Sequence, residues 1–168
     1  MELVEDRLRW YAVRVRARFE RIATTHLGER GFEAFLPSYR TRRRWSDRIK
    51  TTQLPLFPGY LFCRTDLRSR LPIMTIPGFL DFVGFGTGPA PIQDCELDSI
   101  RMVTEQAPTY QPWPFSQLGQ RVQVINGPLR GLHGIMVEMR NERHILVSVT
   151  LLQRSVLVDI DVADIRPL

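Results

Sequence analysis

Arginines, rather than acids or nucleophiles, are the chemically most telling residues of this 168-residue chain. Arg40, Arg42, Arg43, Arg44, Arg48 and Lys50 crowd around Trp45 in the stretch RTRRRWSDRIK. Cations at this density neutralise phosphates and release counterions, and an indole stacks on an unpaired base. Of the 23 basic residues 22 are Arg, the side chain whose planar fork fits phosphate bidentately. Residues 1–50 hold 13 basic and 7 acidic groups, so the formal charge of +5 is concentrated near this stretch. A nucleic-acid contact is therefore expected here, set against a plain solvated hairpin tip with Trp45 packed on a sheet.

Catalytic chemistry finds no comparable cluster. His26, His133 and His144 have no Cys or second His at metal-ligand spacing. The stretch GFGTGPAP (84–91) lacks the Lys-Ser/Thr of a phosphate-binding loop. Asp94, Glu96 and Asp98 alternate at the start of an expected helix, where carboxylates suit the dipole. Ser116 and Ser148 lack a Gly-x-Ser-x-Gly setting. The reading is a non-enzyme with no cofactor and no metal. Cys63 and Cys95 form no disulfide framework, and MELVEDRLRW has no apolar signal core. No apolar run approaches the ~20 residues that span a bilayer. A cytoplasmic protein without a membrane partner is expected.

The elements that must position these residues follow from periodicity. Trp10 to Val15 reads as a strand. Phe19 to Arg30 reads as an amphipathic helix with Phe19, Ile22, Ala23 and Leu27 on its apolar face, closed by Gly31. Strands are expected over 32–39, 51–64 and 79–85, the second of them broken by Pro55 and Pro58-Gly59. A short helix is expected over 67–75 and a longer one over 94–105, capped by Asp94. The order β-α-β-β-α-β-α suggests an α+β domain with a mostly antiparallel sheet. Residues 107–117 (APTYQPWPFSQ) hold three prolines and no charge, and read as a linker. From Leu118 strand periodicity restarts: Val122 and Val124 alternate with polar neighbours, and Asn126-Gly127-Pro128 makes a turn. Apolar runs at 135–139, 145–149 and 156–160 follow, with turns expected at Asn141-Glu142 and Gln153-Arg154. Some five short strands in fifty residues suggest an SH3-like barrel.

Taken with its spacing, G-x-x-V-x-V-x-x-G-P-x-x-G-x-x-G resembles the KOW motif of transcription elongation factors and some ribosomal proteins. Four further segments resemble the NGN domain of the NusG family of transcription factors. They are Trp10-Tyr11, the run Leu56-Phe57-Pro58-Gly59-Tyr60-Leu61-Phe62, the run from Pro77 to Gly84, and Pro89-Ala90-Pro91-Ile92 followed by Asp94, Glu96 and Ile100. Trp45 to Lys50 and the LPLFPGYLF context look more like the specialised UpxY and RfaH type of antiterminator. The resemblance implies an α+β chain with an NGN domain at 1–106, an antiparallel sheet flanked by helices, then a linker at 107–117 and an SH3-like KOW barrel at 118–168.

The resemblance also implies partners. The NGN domain would dock aromatic anchors on the RNA polymerase clamp helices, with Tyr11, Phe57, Tyr60, Phe62, Phe82 and Phe85 as candidates. Phe57 precedes a Pro-Gly turn that would present its ring. The basic stretch would lie near upstream DNA and the non-template strand. The barrel would recruit a small-subunit ribosomal protein or the termination factor Rho through Leu132, Leu152 and Arg154. There the chain departs from the family pattern, with Leu at positions commonly Phe and Gln153 where Gly precedes Arg154. The resemblance implies a monomer that suppresses pausing or termination. The rival reading is a ribosome-associated RNA-binding module that uses the barrel and the Arg stretch.

Overall fold

A computed structural model describes residues 7–168. The chain divides into two compact units, one reaching Gln93 and the other running Asp94–Leu168. In the first, β1 (Arg9–Val15) is followed by α1 (Glu20–Glu29), β2 (Glu33–Phe35), β3 (Ser38–Trp45), β4 (Arg48–Pro55) and β5 (Tyr60–Thr65). Then come α2 (Leu71–Met74), β6 (Phe79–Phe82), β7 (Gly84–Phe85), β8 (Gly88–Pro89) and β9 (Pro91–Ile92). The second unit holds α3 (Asp94–Gln106), β10 (Tyr110–Pro114), β11 (Arg121–Val124) and β12 (His133–Met139). β13 (Glu142–Val149), β14 (Arg154–Asp159) and β15 (Ile165–Pro167) complete it. Among the described residues no helix is long and apolar enough to cross a membrane.

The main sheet of the first unit has the order β2-β5-β1-β6, and β9 also pairs with β1. Every pairing is antiparallel. Strand alternation sends Val13 and Val15 of β1, with Leu61 and Cys63 of β5, to one face. There they join Ala23 and Leu27 of α1 and Ile73 of α2 in one apolar cluster. Removing each such side chain from water contributes about 1.5–3 kcal/mol, which fixes the strand register. The opposite face carries Trp10, Ala12 and Phe62, also buried.

Helix α1 ends as its Gly31 predicts. Gly31 adopts φ +83°, its N–H reaches Gly28 O at 3.1 Å, and the Phe32 N–H reaches Leu27 O at 3.0 Å. This is the Schellman closure. The apolar face differs from expectation in two residues. Ile22 is 47% exposed and Glu20 only 6%, so the buried stripe runs Glu20, Ala23, Leu27. A carboxylate can occupy that stripe because it has a partner, described below.

Proline divides the longer expected strands. Pro37 supplies no N–H, and 32–39 becomes β2 and the start of β3. The turn at Pro58-Gly59 splits 51–64 into β4 and β5, and 79–85 becomes β6 and β7.

The second unit is a six-stranded antiparallel sheet in the order β10-β14-β13-β12-β11-β15. The segment expected as a linker supplies one of these strands: Tyr110–Pro114 pairs with Val158 through Arg154. Helix α3 also groups with this unit, rather than with the residues before it. It lies against β13, and Glu96 Oε1 accepts from Thr150 N at 3.2 Å and from Thr150 Oγ1 at 2.6 Å. The β12–β13 turn falls one residue earlier than expected, on Arg140 (φ +50°) and Asn141 (φ +65°). Two left-handed residues match the twist of a two-residue hairpin.

Candidate functional site

The Pro-Gly turn is a type II turn. Pro58 stands at its second position and Gly59, with φ +85°, at its third, and the Tyr60 N–H donates to Phe57 O at 3.0 Å. Gly59 is bound on both sides. Its N–H donates to Glu20 Oε1 at 3.0 Å, and its carbonyl accepts from Val15 N at 2.8 Å. The end of β1 and the start of α1 thus hold the turn in place.

This anchoring aims Phe57 inward rather than outward. The ring is 2% exposed and meets Phe62 edge-on, with centroids 5.9 Å apart at 85°. Phe62 (0%) and Tyr11 (6%) are buried too. Burial raises the Tyr11 phenol above its ordinary pKa, Arg9 pulling it down and Asp66 up. The six aromatics do not form one patch. Tyr11 pairs across β1–β5 with Cys63, so it shares the helix-covered face with Phe82, at 6.3 Å. Tyr60 and Phe62 lie on the other face. Tyr60 and Phe82 are half-buried, and Phe85 stands 71% exposed at the β7–β8 hairpin. Beside Tyr60, Arg14 binds Asp81 through two bonds, Nε–Oδ1 at 3.0 Å and Nη2–Oδ2 at 2.6 Å. That hydrogen bonding and the carboxylate charge raise the Arg14 pKa further.

The basic stretch forms the β3–β4 hairpin. Its two-residue turn is Ser46-Asp47, and its base is closed by Leu56 N donating to Pro37 O at 2.8 Å. Arg21 of α1 donates to Gln53 O at 2.8 Å and ties β4 to the unit. The register sorts the cations onto two faces. Cross-strand pairs Arg43–Lys50 and Trp45–Arg48 place three cations and the indole together. Arg40, Arg42 and Arg44 alternate onto the opposite face. Trp45 is 59% exposed, so it is not packed on the sheet. Ile49, which pairs with Arg44 on that opposite face, is 68% exposed, an apolar residue that sequence reading did not single out.

In the second unit, Leu132 (1%) and Leu152 (5%) are buried. They serve the core rather than standing on exposed loops, because their loops are tightly closed: Leu132 N reaches Leu129 O at 3.0 Å, and Leu152 sits in a 3-10 turn. Arg154 is exposed and its Nη1 donates to Gln153 O at 3.1 Å. Gln153 takes φ +52°, the conformation that a Gly adopts without strain. His144 is buried against Asp159, Nδ1 to Oδ1 at 2.7 Å, which is a satisfied structural pair.

The family model described as "Transcription termination factor nusG" matches residues 8–101, more than half of the chain. The chain belongs to the NusG family. Members of this family are transcription termination/antitermination factors rather than enzymes. The chain is 26% identical over 173 residues to the transcription termination/antitermination protein NusG of Pseudomonas aeruginosa, covering 94% of this chain and 97% of that one. It is 28% identical over 181 residues to NusG of Thermus thermophilus, with the same coverages. A solved structure, "Domain interaction in Thermotoga maritima NusG", superposes with a TM-score of 0.58 at 20% identity, over 96% of this chain and 97% of that one. That likeness supports the NusG fold: an α+β unit followed by an antiparallel β unit. The NusG-like motifs read from the sequence fall within 8–101, apart from the KOW pattern that follows.

Proposed function

We propose that this NusG-family protein binds RNA polymerase at the clamp helices through its first unit. Its β3–β4 hairpin then meets upstream DNA and the non-template strand. By that grip it suppresses pausing or termination, and its second unit recruits a further factor, Rho or a small-subunit ribosomal protein. Polymerase would shift toward its elongating state only by the difference in affinity for the two states. The observation that carries the reading is the exposed indole of Trp45 among Arg43, Arg48 and Lys50, a stacking platform inside a cationic rim. The W-S-D-R-x-K turn supports a place among specialised antiterminators of the UpxY and RfaH type.

Docking on the clamp is assigned to the aromatics that keep surface: Tyr60, Phe82 and Phe85. Phe57, Phe62 and Tyr11 would support them from beneath. In the second unit Arg154 is the exposed member of the recruiting group, with Leu132 and Leu152 shaping its loops.

The test is binding of labelled full-length protein to a reconstituted elongation complex, alongside Tyr60→Ala and Phe85→Ala. Weakened binding of the variants at unchanged melting supports the docking surface. Wild-type protein that fails to bind the complex overturns the polymerase reading.

A further inference from the structure

The chain has two asparagines, Asn126 and Asn141, and the fold treats them oppositely. An asparagine amide is thermolabile because the backbone nitrogen of the next residue can attack its Cγ. Three things govern that attack: the side chain on the next residue, the freedom of its N–H, and the freedom of the amide itself.

At Asn126 all three favour it. Gly127 follows and has no Cβ to crowd the nitrogen. A Cβ built there would meet Asp164 Oδ2 at 3.9 Å and nothing nearer, so the approach is open. Both residues are exposed in the loop between β11 and β12. Among the described residues the Gly127 N–H donates to no acceptor, and the Asn126 amide has no hydrogen-bond partner. Other amides of the loop are engaged. Ile125 N reaches Asp164 O at 2.7 Å, Arg130 N reaches Gly127 O at 3.2 Å, and Gly131 N reaches Val124 O at 2.8 Å. At Asn141 the next residue is Glu142, which brings a side chain and stands opposite Met139 in the β12–β13 ladder.

We propose that Asn126-Gly127 is a self-modifying site whose isoaspartyl product opens the loop that seats Leu129 and Leu132. The Gly127 nitrogen bonds to Asn126 Cγ and gives up its proton. The Cγ–Nδ2 bond breaks, and ammonia leaves with that proton. Water then opens the resulting five-membered imide at either carbonyl. Opening at Cγ leaves aspartate; opening at the backbone carbonyl leaves isoaspartate, with the main chain routed through Cγ. Water enters, ammonia leaves, and no oxidant or reductant takes part.

Isoaspartate adds one main-chain atom between Val124 and Gly131, whose bond closes the loop. Leu129 (3% exposed) and Leu132 (1%) reach the core from that loop. The longer main chain must give up a closing bond or unseat a leucine. On the recruiting reading above, this retires the second unit's loop in ageing copies; the modification itself stands apart from that reading.

The experiment keeps native full-length protein at pH 8, with a guanidinium-unfolded sample beside it. Peptide mass mapping and an isoaspartate-specific methyltransferase follow both. The native peptide holding Asn126 is expected to gain the mass of amide-to-acid exchange, at a rate within a few-fold of the unfolded chain's. Asn141 should keep its amide in the native protein. Methyl incorporation should rise in step and vanish in N126Q, whose longer side chain disfavours the ring. The converted fraction, collected by ion exchange, should melt below freshly prepared N126D, which carries the same charge on an unaltered main chain. The proposal falls if native Asn126 keeps its amide, if native Asn141 converts as fast, or if the converted fraction melts with N126D.

Discussion

The Glu20 carboxylate accepts the Gly59 N–H at 3.0 Å, joining the first turn of α1 to the Pro-Gly turn thirty-nine residues on. The bond explains a charged residue at 6% exposure in a stripe otherwise formed by Ala23 and Leu27. It also explains why the turn cannot swing out to present Phe57. Glu20→Ala leaves the glycine donor unmatched and should cost about 1–3 kcal/mol in urea unfolding. Glu20→Gln keeps a carbonyl acceptor and should recover most of that. Equal losses in both variants would show that the negative charge, not the acceptor, is what matters.

Phe57→Ala tests the correction to the expected docking residue. A ring 2% exposed and stacked edge-on against Phe62 should cost about 3–5 kcal/mol on truncation. Thermal melting of the variant should drop accordingly. A variant that melts like wild type but loses polymerase would return Phe57 to the surface.

For the hairpin, Trp45→Ala should leave the melting curve nearly unchanged, since the indole is 59% exposed. Stacking on a base is worth about 1–3 kcal/mol, so single-stranded DNA affinity should fall by about five-fold to somewhat over a hundred-fold. Charge reversal across Arg42 to Arg44 should flatten the salt dependence of DNA binding, and an unaltered slope would remove this patch from the account.

The two thiols should differ sharply. Burial, with a contribution from the Glu33 charge, raises the Cys63 pKa from 9.0 to about 12, whereas Cys95 is exposed. At pH 8 a thiol reagent should modify Cys95 in the native protein and reach Cys63 only on unfolding. Because the folded value is the higher one, Cys63 supports the fold fully below pH 9. That support is lost as pH rises from 9 toward 12. Urea midpoints across this range should fall less in Cys63→Ala than in wild type.

Gly31 and Gly78 share a positive φ, +83° and +82°, but differ in space. A Cβ on Gly31 would meet nothing within 4 Å, whereas one on Gly78 would lie 2.5 Å from Phe19 Cβ. Gly31→Ala should cost about 1–2 kcal/mol from conformation alone. Gly78→Ala should cost clearly more, and equal costs would mean that Phe19 yields freely.

Local signals in the sequence were strong enough to locate β1, the closure of α1 at Gly31 and the Pro-Gly turn. Each rests on chemistry within a few residues: alternation, a left-handed glycine, a fixed proline φ. The charge density of 40–50 is legible for the same reason, whereas its full pairing as β3 and β4 is not, the sequence leaving a hairpin or a loop open there. The inward aim of Phe57 was not legible. It depends on Glu20, whose burial no helical periodicity would favour, and on register with Phe62. What points to Leu132 and Leu152 as loop anchors is the resemblance to the NusG family alone, whose barrel loops carry apolar partner-binding residues at the matching positions. Only the backbone bonds that close their loops turn them inward. The strand character of Tyr110–Pro114 was masked by Pro112 and Pro114, since proline is read as a strand breaker unless the strand is known to be an edge.

Those two prolines have a practical consequence. Spaced two apart on the terminal strand, they withhold N–H groups along one side of β10, which discourages another chain from adding to the sheet. Behind them, β14 uses its whole other edge to hold β10. A truncation that begins at Leu118, the natural cut for anyone isolating the second unit, would strip β10 away and lay that edge bare. Val156 and Val158 would then sit in an open, β-branched strand edge, a template on which two copies can exchange strands.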